Sequence, residues 1–177
     1  MRVVAGTLGG RRIDAPPGSD TRPTTDKVRE AVFNSLVSLD LVRDATVADL
    51  FSGSGAMGIE ALSRGAAHCT FVERDRAALR VLRGNLSTLG LGDRSQVVTG
   101  DAASQAARLD VDLVLADPPY DFDGWADLLA SIRAPFVVAE ASRGLDDLAG
   151  HDGWSVTRVK RYGRTWITFL EREPAPS

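Results

Sequence analysis

The stretch Thr46-Val47-Ala48-Asp49-Leu50-Phe51-Ser52-Gly53-Ser54-Gly55-Ala56-Met57-Gly58 decides the architecture of this chain. Thr46 to Leu50 is a short strand-forming run. The glycine-spaced turn after it leads into a helix-forming stretch, Ala56 to Arg64. A strand that feeds a helix through such a turn is the first half of a parallel βαβ unit. Outward from it, His68 to Glu73, Ser95 to Thr99, Val111 to Ala116 and Pro135 to Glu140 read as further strands, with helices over Arg76 to Leu89 and Gly124 to Ile132. This alternation predicts an α/β fold whose parallel sheet is covered on both faces. The rhythm breaks at the C-terminus. Val156 to Tyr162 and Thr165 to Glu171 alternate around Gly163 with no helix between them, which predicts an antiparallel hairpin at the sheet edge.

Upstream, residues 1–24 carry short apolar pieces, Val3-Val4 and Ile13, divided by Gly9-Gly10 and followed by Pro16-Pro17-Gly18. They read as an N-terminal β-hairpin and loop. Thr25 is placed to cap a helix with Asp26 in its first turn, and Val28, Ala31, Val32, Leu36 and Leu39 keep helical spacing to about Asp40. The expected organisation is an N-terminal extension over 1–24, one domain over 25–172 and a disordered tail over 173–177.

At 177 residues and 44% hydrophobic content the chain can bury one core, and 25% charged residues fit a globular protein. No run approaches the roughly 18 apolar residues of a membrane span, and no long apolar signal region opens the chain, so a cytoplasmic protein is expected. The single cysteine, Cys69, lies in an apolar run and reads as a buried structural thiol. His68 and His151 are isolated from each other, so no metal site is expected. The net charge of −3 argues against indiscriminate coating of nucleic acid, yet the ends are basic. Arg2, Arg11, Arg12, Arg22, Lys27 and Arg29 face three acids over residues 2–29, and Arg158, Lys160, Arg161 and Arg164 face none over 154–170.

The turn after the first sheet strand is a ligand cradle by pattern. Gly53 and Gly55 let a ligand approach the backbone at the positive end of the following helix. That spacing alone suits a dinucleotide equally well, with Glu73 at the distance expected of a ribose ligand. Asp49 tilts the choice: a carboxylate there repels a pyrophosphate but suits the ammonium of a methionine moiety. Glu73 could accept from both ribose hydroxyls. Asp101 could accept from an adenine amino group while the Ala102 amide donates to a ring nitrogen. Phe51, within the turn, belongs to the same cofactor group. Each acid alone could be a solvated strand end; three at successive strand ends point to S-adenosylmethionine.

The fourth strand delivers Asp117-Pro118-Pro119-Tyr120 to the same sheet edge. An aromatic amine is a poor nucleophile because its lone pair is delocalised into the ring. Acceptors on both amine hydrogens, the Asp117 carboxylate and the Pro118 carbonyl, would localise that lone pair toward a methyl donor. Pro118 and Pro119 stiffen the segment, and Tyr120 offers a face to a base drawn from its stack. A strand-ending turn is the competing reading of these four residues, weakened by their position downstream of Asp49, Glu73 and Asp101 in order.

On these motifs, with Arg2-Val-Val-Ala-Gly6, Gly10-Arg11, Thr21-Arg22-Pro23-Thr24, Val28 to Leu36 and Glu60-Ala-Leu-Ser-Arg-Gly65, the chain resembles the bacterial 16S rRNA guanine-N2 methyltransferases of the small-subunit methyltransferase D family. The resemblance implies a class I, Rossmann-like methyltransferase fold with a seven-stranded, mostly parallel sheet. It also implies methylation of a guanine N2 amine in 16S rRNA on the small ribosomal subunit, and a monomeric enzyme. Under it, Arg2, Arg11, Arg12, Arg22, Arg158, Lys160, Arg161 and Arg164 become RNA contacts, where charge clusters otherwise read as solvated surface. Ser52 and Met57 stand where the family pattern has Ala and Leu. The rivals are an adenine-N6 DNA or RNA methyltransferase, a non-catalytic RNA-binding assembly factor and a nicotinamide-dependent oxidoreductase.

Overall fold

The computed structural model describes residues 1–16 and 26–173. Its elements are α1 (Asp26–Ser38), β1 (Thr46–Leu50), α2 (Ala56–Ser63), β2 (His68–Glu73), α3 (Arg76–Thr88), β3 (Ser95–Thr99), α4 (Ala102–Ala106), β4 (Leu113–Ala116), α5 (Trp125–Ser131), β5 (Phe136–Ala141), β6 (Trp154–Tyr162) and β7 (Thr165–Arg172). The strands form one sheet in the order β3-β2-β1-β4-β5-β7-β6. β1 to β5 run parallel, and β7 lies antiparallel between β5 and β6. This is the parallel sheet with a C-terminal antiparallel hairpin that the alternation predicts, and the seven-stranded, mostly parallel sheet that the resemblance implies.

Side-chain alternation splits the core in two. Val47, Phe71, Leu113 and Leu115 pack with Val32, Phe33 and Leu36 of α1, Ile59 and Leu62 of α2 and Leu82 of α3. Ala48, Leu50, Val72, Val114 and Ala116 pack on the other face with α4 and α5. With both faces covered, the central strands β1, β2, β4 and β5 are mostly apolar and buried. Cys69 is buried at the first of these interfaces.

Several element ends differ from the sequence reading by one or two residues, and three differences have a local cause. β4 starts at Leu113, not Val111, because the Asp112 carboxylate accepts from the amide and hydroxyl of Thr46 at 2.7 and 2.8 Å. β6 starts earlier, at Trp154, whose fully buried indole donates to the Leu129 carbonyl at 3.0 Å. The short α4 sits where no helix was expected. Five residues are too few for periodicity to register, and Asp101 caps them by accepting from Ser104 N–H at 3.1 Å.

The N-terminal segment is joined by one antiparallel bridge, Arg2 to Arg12, with Val3 and Ile13 buried in the core. The expected hairpin ladder shrinks to this bridge because neighbouring donors turn to α2. Glu60 accepts from the amides of Val4 and Ala5 at 2.7 and 3.1 Å, and Ser63 Oγ accepts from Leu8 N–H at 3.0 Å. At Gly6 (φ +83°) a Cβ would fall 2.0 Å from the Ser63 carbonyl oxygen, so only glycine allows this closure. The Thr25 cap, Pro17-Gly18, the Thr21 to Thr24 motif with Arg22, and tail residues 174–177 lie outside the described residues.

From β1 the chain proceeds outward through β2 to β3, then returns to place β4 on the other side of β1. The carboxyl ends of β1 and β4 therefore flank a topological switch point, where open α/β sheets bind ligands.

Candidate active site

A cavity of about 640 Å³ opens at that switch point, within the roughly 300–1,000 Å³ usual for small-molecule sites. Of the residues singled out from sequence, Asp49, Phe51, Gly53, Glu73, Ala102, Asp117 and Pro119 line it. Gly55, Asp101, Pro118 and Tyr120 adjoin these residues in the chain without forming its wall.

Asp49, at the penultimate position of β1, is 3% exposed and accepts from Gly58 N–H of α2 at 2.9 Å. Burial pushes its carboxyl well above the ordinary range; the Gly58 bond opposes this, and the charges of Asp117 and Glu73 add to it. Among the described residues no ion pair compensates Asp49. A buried acid on a cavity wall, lacking a cation, fits an ammonium-bearing ligand. Cys69 lies close enough that burial, then the Asp49 charge, raise its thiol well above its usual value, consistent with an inert structural role.

The turn after β1 is held by side chains. Ser52 Oγ lies 2.8 Å from the Asp49 carbonyl and 2.9 Å from that of Val72, and Glu73 accepts from Gly53 N–H at 2.8 Å. The other Glu73 oxygen accepts from the amides of Arg74 and Asp75, both at 2.8 Å. Three of its roughly four acceptor positions are thus engaged, and the remaining one can receive a hydroxyl. Gly55 (φ +84°) serves packing, since a Cβ there would lie 2.5 Å from Leu82 Cδ1 of α3. Phe51 adopts φ +60°, an uncommon conformation for a non-glycine residue, and its ring meets that of Phe122 edge-on at 5.4 Å. Phe122 in turn meets Trp125 at 5.3 Å. This aromatic chain ties the β1 turn to the segment after β4, and Phe122 was invisible to motif reading.

Asp101 divides its carboxylate between the α4 cap and Arg74, whose guanidinium lies 3.8 Å away in an exposed pair. Tyr120 is 39% exposed, and its hydroxyl donates to the Arg164 carbonyl at 2.5 Å. The basic residues separate into groups. Arg2, Arg11 and Arg12 are exposed on the N-terminal segment. Arg161 stacks over Trp166 at 5.3 Å, and both it and Arg164 flank the β6–β7 turn beside Tyr120. Half-buried Lys160 pairs with Ile167, whereas Arg158 covers Phe169 at 5.8 Å and lines a second, smaller hollow with Leu36, Leu39 and Leu41.

Comparison with known proteins places the chain in a family. A family model described as conserved hypothetical protein 95 matches residues 1–171. The chain is 36% identical to the ribosomal RNA small subunit methyltransferase D of Escherichia coli, over 98% of this chain and 90% of that one. The chain belongs to the small-subunit methyltransferase D family, a family of RNA methyltransferases. Its fold matches that of the Escherichia coli protein yhhF, described as a candidate methyltransferase, with a TM-score of 0.85, 34% identity and 98% coverage of both chains. The same fold occurs in SMU.776, a candidate methyltransferase complexed with SAH, at TM-score 0.66 and 15% identity over 82% of this chain and 48% of that one. The fold is thus that of S-adenosylmethionine-dependent methyltransferases.

Two stretches that carried only resemblance in this methyltransferase D family member now have a physical account. Arg29 and Arg64 both reach the fully buried Glu60, at 3.5 and 2.7 Å, and with Ser63 they seat the N-terminal segment on α2. Asn85 of α3 adds a bridge that pattern reading missed. It exchanges hydrogen bonds with the Asp14 backbone at 2.9 and 3.0 Å and donates to the Ser54 carbonyl at 2.9 Å. Among the described residues there is no cluster suited to a metal ion and no helix long and apolar enough to cross a membrane.

Proposed function

We propose that this chain transfers a methyl group from S-adenosylmethionine to the exocyclic N2 amine of a guanine in 16S rRNA of the small ribosomal subunit. The observation that carries the reading is the convergence of Asp49 and Asp117, from the adjacent strands β1 and β4, on one cavity at the switch point. Asp49 receives the methionine ammonium, Glu73 a ribose hydroxyl, and the Ala102 amide with Asp101 the adenine edge. Bound there, the cofactor supplies an electrophilic methyl on sulfur. The Asp117 carboxylate and Pro118 carbonyl accept the two amine hydrogens, so the nitrogen lone pair is directed at that methyl. On methylation Asp117, or water beside it, would take the proton that the nitrogen sheds. Pro118 and Pro119 hold these acceptors, and the exposed Tyr120 ring supports the base. Guanine and 16S rRNA are supported by the family and by the small-subunit name of the Escherichia coli relative.

The test is mass spectrometry of 16S rRNA nucleosides from cells with and without the gene. Loss of one N2-methylguanine is expected, restored by the wild-type gene and not by Asp117→Ala, which should lower turnover by about 100-fold or more. Loss of N6-methyladenine instead would transfer the reading to adenine, and an unchanged nucleoside profile would defeat it.

A further inference from the structure

The cavity wall holds a buried cation whose acceptors are incomplete among the described residues. Arg29 of α1 is 2% exposed, yet it lines the cavity together with Met1, Asp49 and Ser54. Its guanidinium donates to the Arg2 carbonyl and, at 2.9 Å, to Asp26. Its Nε lies 3.5 Å from Glu60 Oε2 without a hydrogen bond. Glu60 is shared: it also receives Arg64 Nε at 2.7 Å and the amides of Val4 and Ala5. Asp26 is 57% exposed, so water screens its charge. Two buried guanidinia therefore divide one buried carboxylate. An arginine in that position retains capacity for a further anion, and the cavity is where one can reach it.

Asp49 on the same wall has the complementary shortage, a buried carboxylate with no cation among the described residues. A ligand carrying an ammonium and a carboxylate on one carbon answers both. We infer that Arg29 binds the α-carboxylate of the cofactor's methionine moiety while Asp49 holds its ammonium. This inference rests on the cofactor reading above. It gives α1 a role in cofactor capture, and through the Arg2 carbonyl it joins that capture to the N-terminal segment.

Titration calorimetry on the full chain decides it, with S-adenosylhomocysteine compared against its decarboxylated analogue, which keeps the amine, sulfur and adenosine. The wild type should bind the carboxylate-bearing ligand about 10- to 100-fold more tightly, the range of one or two charge-assisted hydrogen bonds. Arg29→Met should collapse that ratio to about twofold or less, and Arg29→Lys should retain part of it. Glu60→Gln loosens the same N-terminal seat without removing the guanidinium, and it should leave the preference in place. If Arg29→Met fails to fold, the wild-type ratio still decides, because equal affinity for the two ligands overturns the proposal. A ratio that survives Arg29→Met overturns it too. Failure of both ligands to bind would bring down the cofactor reading itself.

Discussion

The hydroxyl of Tyr120 donates to the backbone carbonyl of Arg164 at 2.5 Å, joining the segment after β4 to the turn between β6 and β7. Under the proposed function, the antiparallel hairpin thereby becomes one side of the cleft that takes the base. The bond also sets the direction of a ring that is 39% exposed. Tyr120→Phe keeps the ring and loses the bond, so kcat/KM for methylation should fall about 2- to 10-fold, from a net 0.5–1.5 kcal/mol. Tyr120→Ala removes the stacking face as well, worth about 1–3 kcal/mol per base, and should cost a further 10-fold or more. S-adenosylhomocysteine affinity should stay level in both. Equal rates for Tyr120→Phe and Tyr120→Ala would show that the ring meets no base.

Asp49 sets a stability-for-function exchange that pH reveals. Its folded-state carboxyl titrates above the unfolded one, so folding favours the protonated form. The associated stability is fully present below the unfolded value and is lost as pH rises through the raised folded value. Asp49→Asn can still accept from Gly58 N–H and carries no charge to bury. Its Tm should therefore exceed that of the wild type by about a few degrees at pH 8, and the gap should close on acidification. Cofactor binding should run the other way. An ammonium favours the ionised carboxylate, so affinity should weaken as pH falls and binding should release protons, read as a dependence of the calorimetric heat on buffer ionisation enthalpy. A melting temperature for Asp49→Asn at or below wild type at pH 8 would contradict the burial argument.

Much of this was legible in the sequence because it is periodic or local. β1 to β3 fall on their predicted residues, since each is a short run with apolar and β-branched residues at its centre, closed by a turn or an acid. Asp49, Glu73 and Asp117 were legible because strand ends in a parallel sheet share one edge. What sequence could not supply is long-range pairing. Glu60 to Val4, Asn85 to Asp14 and Phe122 to Phe51 join residues 56 to 71 positions apart, and no spacing rule connects them. Gly55 shows the same limit from the other side, because the glycine pattern signals a ligand turn whereas the side chain it must avoid is Leu82.

Glu60 is the keystone of the N-terminal seat. It is fully buried, accepts two backbone amides and pairs with two arginines. Glu60→Ala strands both guanidinia and both amides, and removing one partner of a buried ionic network costs about 3–5 kcal/mol. For a chain of this size that corresponds to a Tm lower by roughly 10 °C, measurable by thermal or urea unfolding. Arg143→Ala is the matched comparison. Its 2.6 Å pair with Asp147 is exposed at both ends, and it should shift Tm by about 2 °C or less. Similar effects for the two substitutions would mean that the Glu60 network is no stronger than a surface pair.

The basic residues at the two ends should not behave alike. Arg11 and Arg12 are exposed on the N-terminal segment, and among the described residues only a 3.4 Å bond from Arg11 to the Thr88 carbonyl holds either guanidinium. Arg158 lies over Phe169 beside Leu36 and Leu39, on a hollow distinct from the cofactor cavity. Phosphate contacts add a salt dependence of about 0.7–0.9 in log–log slope for each charge neutralised. Arg11→Glu with Arg12→Glu should therefore weaken binding to small-subunit RNA at physiological salt and flatten its salt slope by roughly 1.5. Arg158→Glu should leave the slope unchanged and act on stability instead, through loss of the cation–π contact. A slope that responds to Arg158 and ignores Arg11 and Arg12 would move the RNA path from the N-terminal segment to the outer strand of the sheet.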